Sequence, residues 1–200
     1  MNEDIDSKEL LEMNSVMTEV VKRLVVSSPA TVKVTNIVIG PSITLSIYAD
    51  KADRGRILGS QGKRIRALAT MTAAWANALG REGGVILDEK TIPAASLTPT
   101  RTSTFGIDAK SFDGTKELLK RIVTLLCVDK DEVEIVQQDA GMTSFFEIRV
   151  TPEDYPAVFG PREIPSDFGV DGNVMDALKN IFDGIGKNSG HIAKLVLNQK

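Results

Sequence analysis

Residues Asp53–Leu79 read DRGRILGSQGKRIRALATMTAAWANAL, two helical patterns that meet at Gly59-Ser60-Gln61-Gly62. A Gly-x-x-Gly spacing alone says little, because 16 glycines in 200 residues give about one by chance. This chain holds three, at Gly59–Gly62, Gly80–Gly83 and Gly169–Gly172, so the flanks must distinguish them. Before the first lies a short helix, Lys51–Leu58. After it, Ile65, Leu68, Ala69, Thr72, Ala73, Ala76 and Leu79 form a helical stripe, with Lys63, Arg64, Arg66 and Thr70 off it. Glycines let the chain turn tightly and let another backbone approach closely. The helix that follows turns unpaired N–H groups and the positive end of its dipole toward the loop. Cations in a first helical turn oppose that dipole, at a cost of about 0.3–1 kcal/mol each. Lys63, Arg64 and Arg66 sit there nonetheless, as they would at an anion site.

The surrounding ninety residues parse as α-β-β-α-α-β. Ser7 is placed to cap a helix carrying Leu10, Met13, Met17, Val20, Val21 and Leu24, which Ser28-Pro29 ends. TVKVTNIVI (Thr31–Ile39) is β-rich, and Gly40-Pro41 turns the chain. In the next segment Ile43, Leu45, Ile47 and Ala49 alternate with Thr44, Ser46 and Tyr48. GREGG stops the long helix and VILDEK follows as a strand. Residues 91–108, rich in Thr, Ser, Pro and Ala without apolar period, read as a linker.

The second half repeats the order. A helix in FDGTKELLKRIVTLLCV precedes strands EVEIVQQ and SFFEIRV, a short helix in EDYPAVFG, a longer one in NVMDALKNIFDGI and a last strand, HIAKLVLN. VVKRLVV matches LLKRIVT at an offset of 98, LSIYADKAD matches FEIRVTPED at 101, and LGSQGKRIRAL matches FGVDGNVMDAL at 110. One unit is used twice, with an insertion around GPREIPSDF before the second glycine loop. The expected fold is α+β: residues 1–90 and 109–200 each form a three-stranded sheet with helices packed on one face.

Bulk composition bounds the function. With 42% hydrophobic and 26% charged residues the chain can bury a core. It has no apolar run of membrane-spanning length, and its acidic start, MNEDIDSKEL, is unlike a targeting segment. A cytoplasmic setting and no membrane partner are expected. The single Cys127 excludes an internal disulfide, and the single His191 excludes paired-histidine metal sites and histidine triads. Cys127 lies on an apolar stripe, His191 has no evident partner, and GIGKNSG (Gly184–Gly190) lacks P-loop spacing and reads as a helix-to-strand turn. No catalytic residue, metal or cofactor is expected. Net charge is −3, yet Asp50–Arg66 carries six cations against two anions, a compact basic site on an acidic protein.

On these residues the chain resembles the type II KH domains. Residues 1–90 resemble in particular the small stand-alone KH RNA-binding proteins of bacteria, through Asp53-Arg54-Gly55-Arg56, Ile57-Leu58, Gly59-Ser60-Gln61-Gly62 and Lys63. A bacterial or bacteriophage source suits that resemblance. It implies non-catalytic binding of about four single-stranded nucleotides, messenger RNA included, by a backbone clamp beside an apolar groove. Gly59, Ser60, Gln61, Gly62 and Lys63 would form the clamp, and Ile57 and Leu58 would floor the groove. Arg54, Arg56, Arg64 and Arg66 join on charge. KH clamps commonly hold a basic residue between the glycines, whereas Ser60 and Gln61 are neutral, so modest affinity and little sequence selectivity are expected. Trp75 is expected in packing rather than as a base platform.

Residues 109–200 resemble a degenerate, KH-like second copy. Asp171, Asn173, Val174 and Asp176 replace Gln61, Lys63, Arg64 and Arg66, which takes the four positions from +3 to −2. It is expected to stabilise, to extend the surface or to meet a protein partner or a second copy. Two other readings remain beside RNA: the same fold as a protein-interaction scaffold without nucleic acid, or binding of single-stranded DNA.

Overall fold

Ile43, Leu45 and Ile47 have no exposed surface, while Thr44, Ser46 and Tyr48 occupy the other face of their strand. That strand, β2 (Ser42–Tyr48), is the centre of a three-stranded sheet. It pairs antiparallel with β1 (Lys33–Ile39) and parallel with β3 (Glu82–Asp88). Helices α1 (Glu3–Leu24), α2 (Lys51–Leu58) and α3 (Lys63–Ala78) complete the first unit. The computed structural model describes residues 3–88, 112–159 and 173–200. The linker 91–108, the insertion GPREIPSDF and the second glycine loop, Gly169–Gly172, lie outside them.

The second unit repeats this arrangement. Strands β4 (Glu134–Ala140), β5 (Thr143–Val150) and β6 (Ile192–Gln199) pair in the same order and sense, antiparallel then parallel. Phe146, Ile148 and Val150 point inward and are fully buried. Helices α4 (Thr115–Thr124), α5 (Tyr155–Phe159) and α6 (Val174–Ser189) take the places of α1, α2 and α3. The chain is therefore α+β, with two α-β-β-α-α-β units and two mixed three-stranded sheets. No helix among the described residues is long and apolar enough to cross a membrane.

The helices of the two units share one buried core that runs from Met13 and Leu24 through Trp75 to Ile122, Phe182 and Ile185. Trp75 is 2% exposed, and its Nε1 donates to the Ile122 carbonyl at 3.3 Å. From the other side, the Asn188 Nδ2 donates to the carbonyls of Arg23 and Leu24 at 3.0 and 2.8 Å. Leu24 and Ile122 are equivalent residues of the repeat. Each unit's last helix thus satisfies an end carbonyl on the other's first helix, through residues that are not equivalent in the repeat.

Two glycine clusters depart from the sequence reading. GREGG does not simply stop a helix, since Glu82, Gly83 and Gly84 already belong to β3. A Cβ on Gly83 would run into the Thr72 carbonyl oxygen and lie 2.7 Å from the Ala76 Cβ, so glycine there lets α3 rest directly on the strand. Most of GIGKNSG is likewise helix: α6 runs through Gly184 and Gly186 to Ser189, and the turn to β6 is made at Gly190, with φ 74°. A Cβ on Gly184 would meet Arg64 and Leu24, and one on Gly186 would lie 2.6 Å from the His191 carbonyl. Helix α1 is already formed at Glu3, so Ser7 lies within it instead of capping it.

Candidate nucleic-acid interface

The glycine loop owes its position to a buried carboxylate. Asp53 in the first turn of α2 is 1% exposed and accepts the amides of Val26, Ser27 and Ser28 at 2.9–3.2 Å. This pins α2 to the chain leaving α1. Burial by itself would raise the Asp53 carboxyl, but the bonds from Ser27, Val26 and Ser28 hold it below its ordinary value. The second unit repeats the device: Asp154 accepts the amides of Val128 and Asp129 at 2.8 and 3.1 Å. From sequence neither aspartate had a structural role, although Asp53 opens the motif Asp53-Arg54-Gly55-Arg56. The signal was present, since they are the aligned last residues of LSIYADKAD and FEIRVTPED.

Between α2 and α3 the backbone takes left-handed angles at three of four residues: φ is 69° at Gly59, 54° at Gln61 and 72° at Gly62. Gln61 is the one non-glycine residue with positive φ among the described residues, a conformation that costs about 1–2 kcal/mol for a side chain with a Cβ. The Gly59 amide donates to Gly55, the Gly62 amide to Gly59, and the Lys63 amide to Ser60. The amides of Ser60 and Gln61 have no acceptor among the described residues. Both residues are exposed, which leaves two adjacent donors at the loop tip beside the start of α3.

The cations divide into two groups. Lys63 and Arg66 are exposed and form no ion pair among the described residues, and Arg66 lies over Gly62 with Nη1 3.3 Å from where a Cβ would be. Arg56 is 48% exposed, 3.9 Å from the Asp53 carboxylate, with its Nη1 donating to the Asn188 Oδ1 at 3.0 Å. The others turn inward. Arg54 donates to the Ala49 carbonyl at 3.4 Å. Arg64 is half-buried, donates through Nη1 to the Arg56 carbonyl at 2.8 Å, and runs between Gly59 and Gly184. The apolar pair also divides: Leu58 is 40% exposed beside the loop, whereas Ile57 is fully buried and supports the surface from beneath.

The aligned end of the second unit is built otherwise. Asn173 caps α6, its Oδ1 accepting the Asp176 amide at 2.8 Å, and Asp176 occupies the first turn, where an acid suits the dipole. Cys127 is buried, and burial, with Asp154 and Asp129 nearby, pushes its thiol up to about 12, so it stays protonated at neutral pH. His191 stacks on Phe112 with ring centres 4.7 Å apart.

No family model and no curated protein matches the chain. A solved structure titled "Crystal structure of APE1850" is similar at 18% identity over 95% of this chain and 98% of its own. Its TM-score is 0.26, too low to carry an argument.

Proposed function

We propose that the first unit is a KH-type module that binds single-stranded RNA without catalysis, in the cytoplasm, with Gly59–Gly62 as the clamp on the backbone. The observation that carries this reading is the loop itself. Its Ser60 and Gln61 amides lack acceptors among the described residues, it leads into the N-terminus of α3, and Arg56, Lys63 and Arg66 surround it. Amide donors backed by a helix dipole and mobile cations suit phosphate oxygens, and Leu58 gives a base an apolar surface. With neutral residues inside the clamp, affinity is modest and sequence selectivity low. The second unit, with Asn173 and Asp176 at the aligned helix start, is not a second clamp.

Fluorescence anisotropy with short labelled RNAs over a salt series tests the reading. About three to five phosphate contacts to a single strand give a log–log salt slope of roughly −2 to −3.5. The double variant Ser60→Asp, Gln61→Asp abolishes that binding while circular dichroism stays native. Equal binding by both proteins places the site elsewhere. Absence of binding by either favours a protein-interaction scaffold, and tighter binding to the matching DNA makes single-stranded DNA the ligand.

A further inference from the structure

The side chains behind the loop come from the other unit. Arg64 leaves the first turn of α3 and passes beneath Gly59, where a Cβ would lie 2.7 Å from its Cγ. Its guanidinium holds the Arg56 carbonyl, in the last turn of α2. On its far side lies Gly184 of α6, where a Cβ would stand 2.5 Å from the Arg64 Nε. One turn on, Asn188 accepts from the Arg56 side chain while its own amide nitrogen holds the α1 end carbonyls. Arg56 and Arg64, one on each side of the glycine loop, are therefore both seated on α6.

The internal repeat supplies a control within the molecule. The repeat places Ala157 opposite Arg56, Val174 opposite Arg64 and Ala78 opposite Asn188. All three polar partners are missing on that side. The equivalent region is a cavity of about 440 Å3 whose lining includes Ala78, Leu125, Cys127, Ala157 and Val174. The polar bracket exists on the side that carries the basic glycine loop and is lost on the side where the loop has lost its cations.

The geometry points to α6 as the positioning element of the first unit's clamp, with Gly184, Asn188 and Arg64 as positioning residues. On this account Arg64 is not a phosphate contact. The second unit then serves nucleic-acid binding without touching the ligand, by holding the end of α2 and the start of α3 at the separation the loop requires. This rests on the proposed RNA binding for its purpose, but the bracket itself can be tested without RNA.

Three variants of the full chain are informative: Gly184→Ala, whose added Cβ displaces the Arg64 guanidinium and presses on the buried Leu24 side chain, Arg64→Gln and Arg64→Lys. Amide hydrogen exchange is followed at Gly59, Gly62 and Lys63, and RNA binding by anisotropy over a salt series. The bracket predicts faster exchange at these amides in all three, with the β5 amides unchanged. It also predicts affinity weakened roughly three- to tenfold at an unaltered salt slope, and no rescue by lysine, which restores the charge but not the planar donor. A slope reduced by about 0.7 in Arg64→Gln, restored by lysine, would make Arg64 a phosphate contact and overturn the proposal. Unchanged loop exchange in Gly184→Ala and Arg64→Gln would overturn it as well. If the native chain binds no RNA, the functional reading fails, while the exchange result still decides whether α6 holds the loop.

Discussion

At the scale of single residues, Asp53 fixes the approach to the candidate site, through a buried charge that backbone amides satisfy. Hydrogen bonds to charged groups contribute about 1.5–3 kcal/mol each, and Asp53→Ala leaves three amides without their acceptor. We expect that variant to lose roughly 2–4 kcal/mol in urea unfolding. The same carboxylate makes stability pH-dependent. Its folded pKa lies below the unfolded value, so in acid the unfolded chain binds the extra proton. The stabilisation is complete above the ordinary carboxylate range and is lost as pH falls through it toward the folded value. Asp53→Asn should flatten that limb of the pH–stability curve. An unchanged acid limb would contradict this role for Asp53.

At the scale of elements, the alternation in β2 and the flanks of the glycine loop were legible in sequence, and α2 falls at Lys51–Leu58 as its residues indicated. The repeat was legible because both units keep apolar residues at matching inward positions, Leu45 and Ile47 in one and Phe146 and Ile148 in the other. What sequence concealed were the glycines that serve packing. Gly83 and Gly184 look like turn residues from their neighbours, and only the surface each lies against shows why a Cβ is excluded. Local propensity makes glycine a helix breaker, but the close approach of α6 to Arg64 and Leu24 overrides it. The bracket was hidden for a related reason: Arg56 and Asn188 are 132 residues apart. Gly83 and Gly84 give a matched test. Gly83→Ala drives a Cβ into backbone of α3 and should cost roughly 1–3 kcal/mol or more, whereas Gly84→Ala, with nothing within 4 Å, should change stability far less. Thermal denaturation of the two variants checks this, and equal losses would contradict direct packing of α3 on β3.

At the scale of the molecule, the two sheets are separate but the helices between them are not. Trp75 of the first unit is buried against Ile122 of the second, and Arg121 of α4 reaches back to Glu12 and Glu19 of α1 at 2.8 and 2.7 Å. The ion pairs are partly exposed and contribute little on their own. The shared apolar core couples the units, so tryptophan fluorescence and far-ultraviolet circular dichroism should report one coincident unfolding transition. Two separated transitions would show that the halves fold independently. On the proposed reading, such coupling would make the second unit the rigid backing of the first unit's glycine loop. The central claim is that this clamp meets nucleic acid at Gly59–Gly62, and amide chemical shifts of the full chain titrated with a short single-stranded RNA test it most directly. The account predicts the largest changes at Ser60, Gln61 and Lys63, with the outer strands β4 and β6 unmoved. Changes centred on either sheet, or no change at the loop while RNA binds, would contradict it.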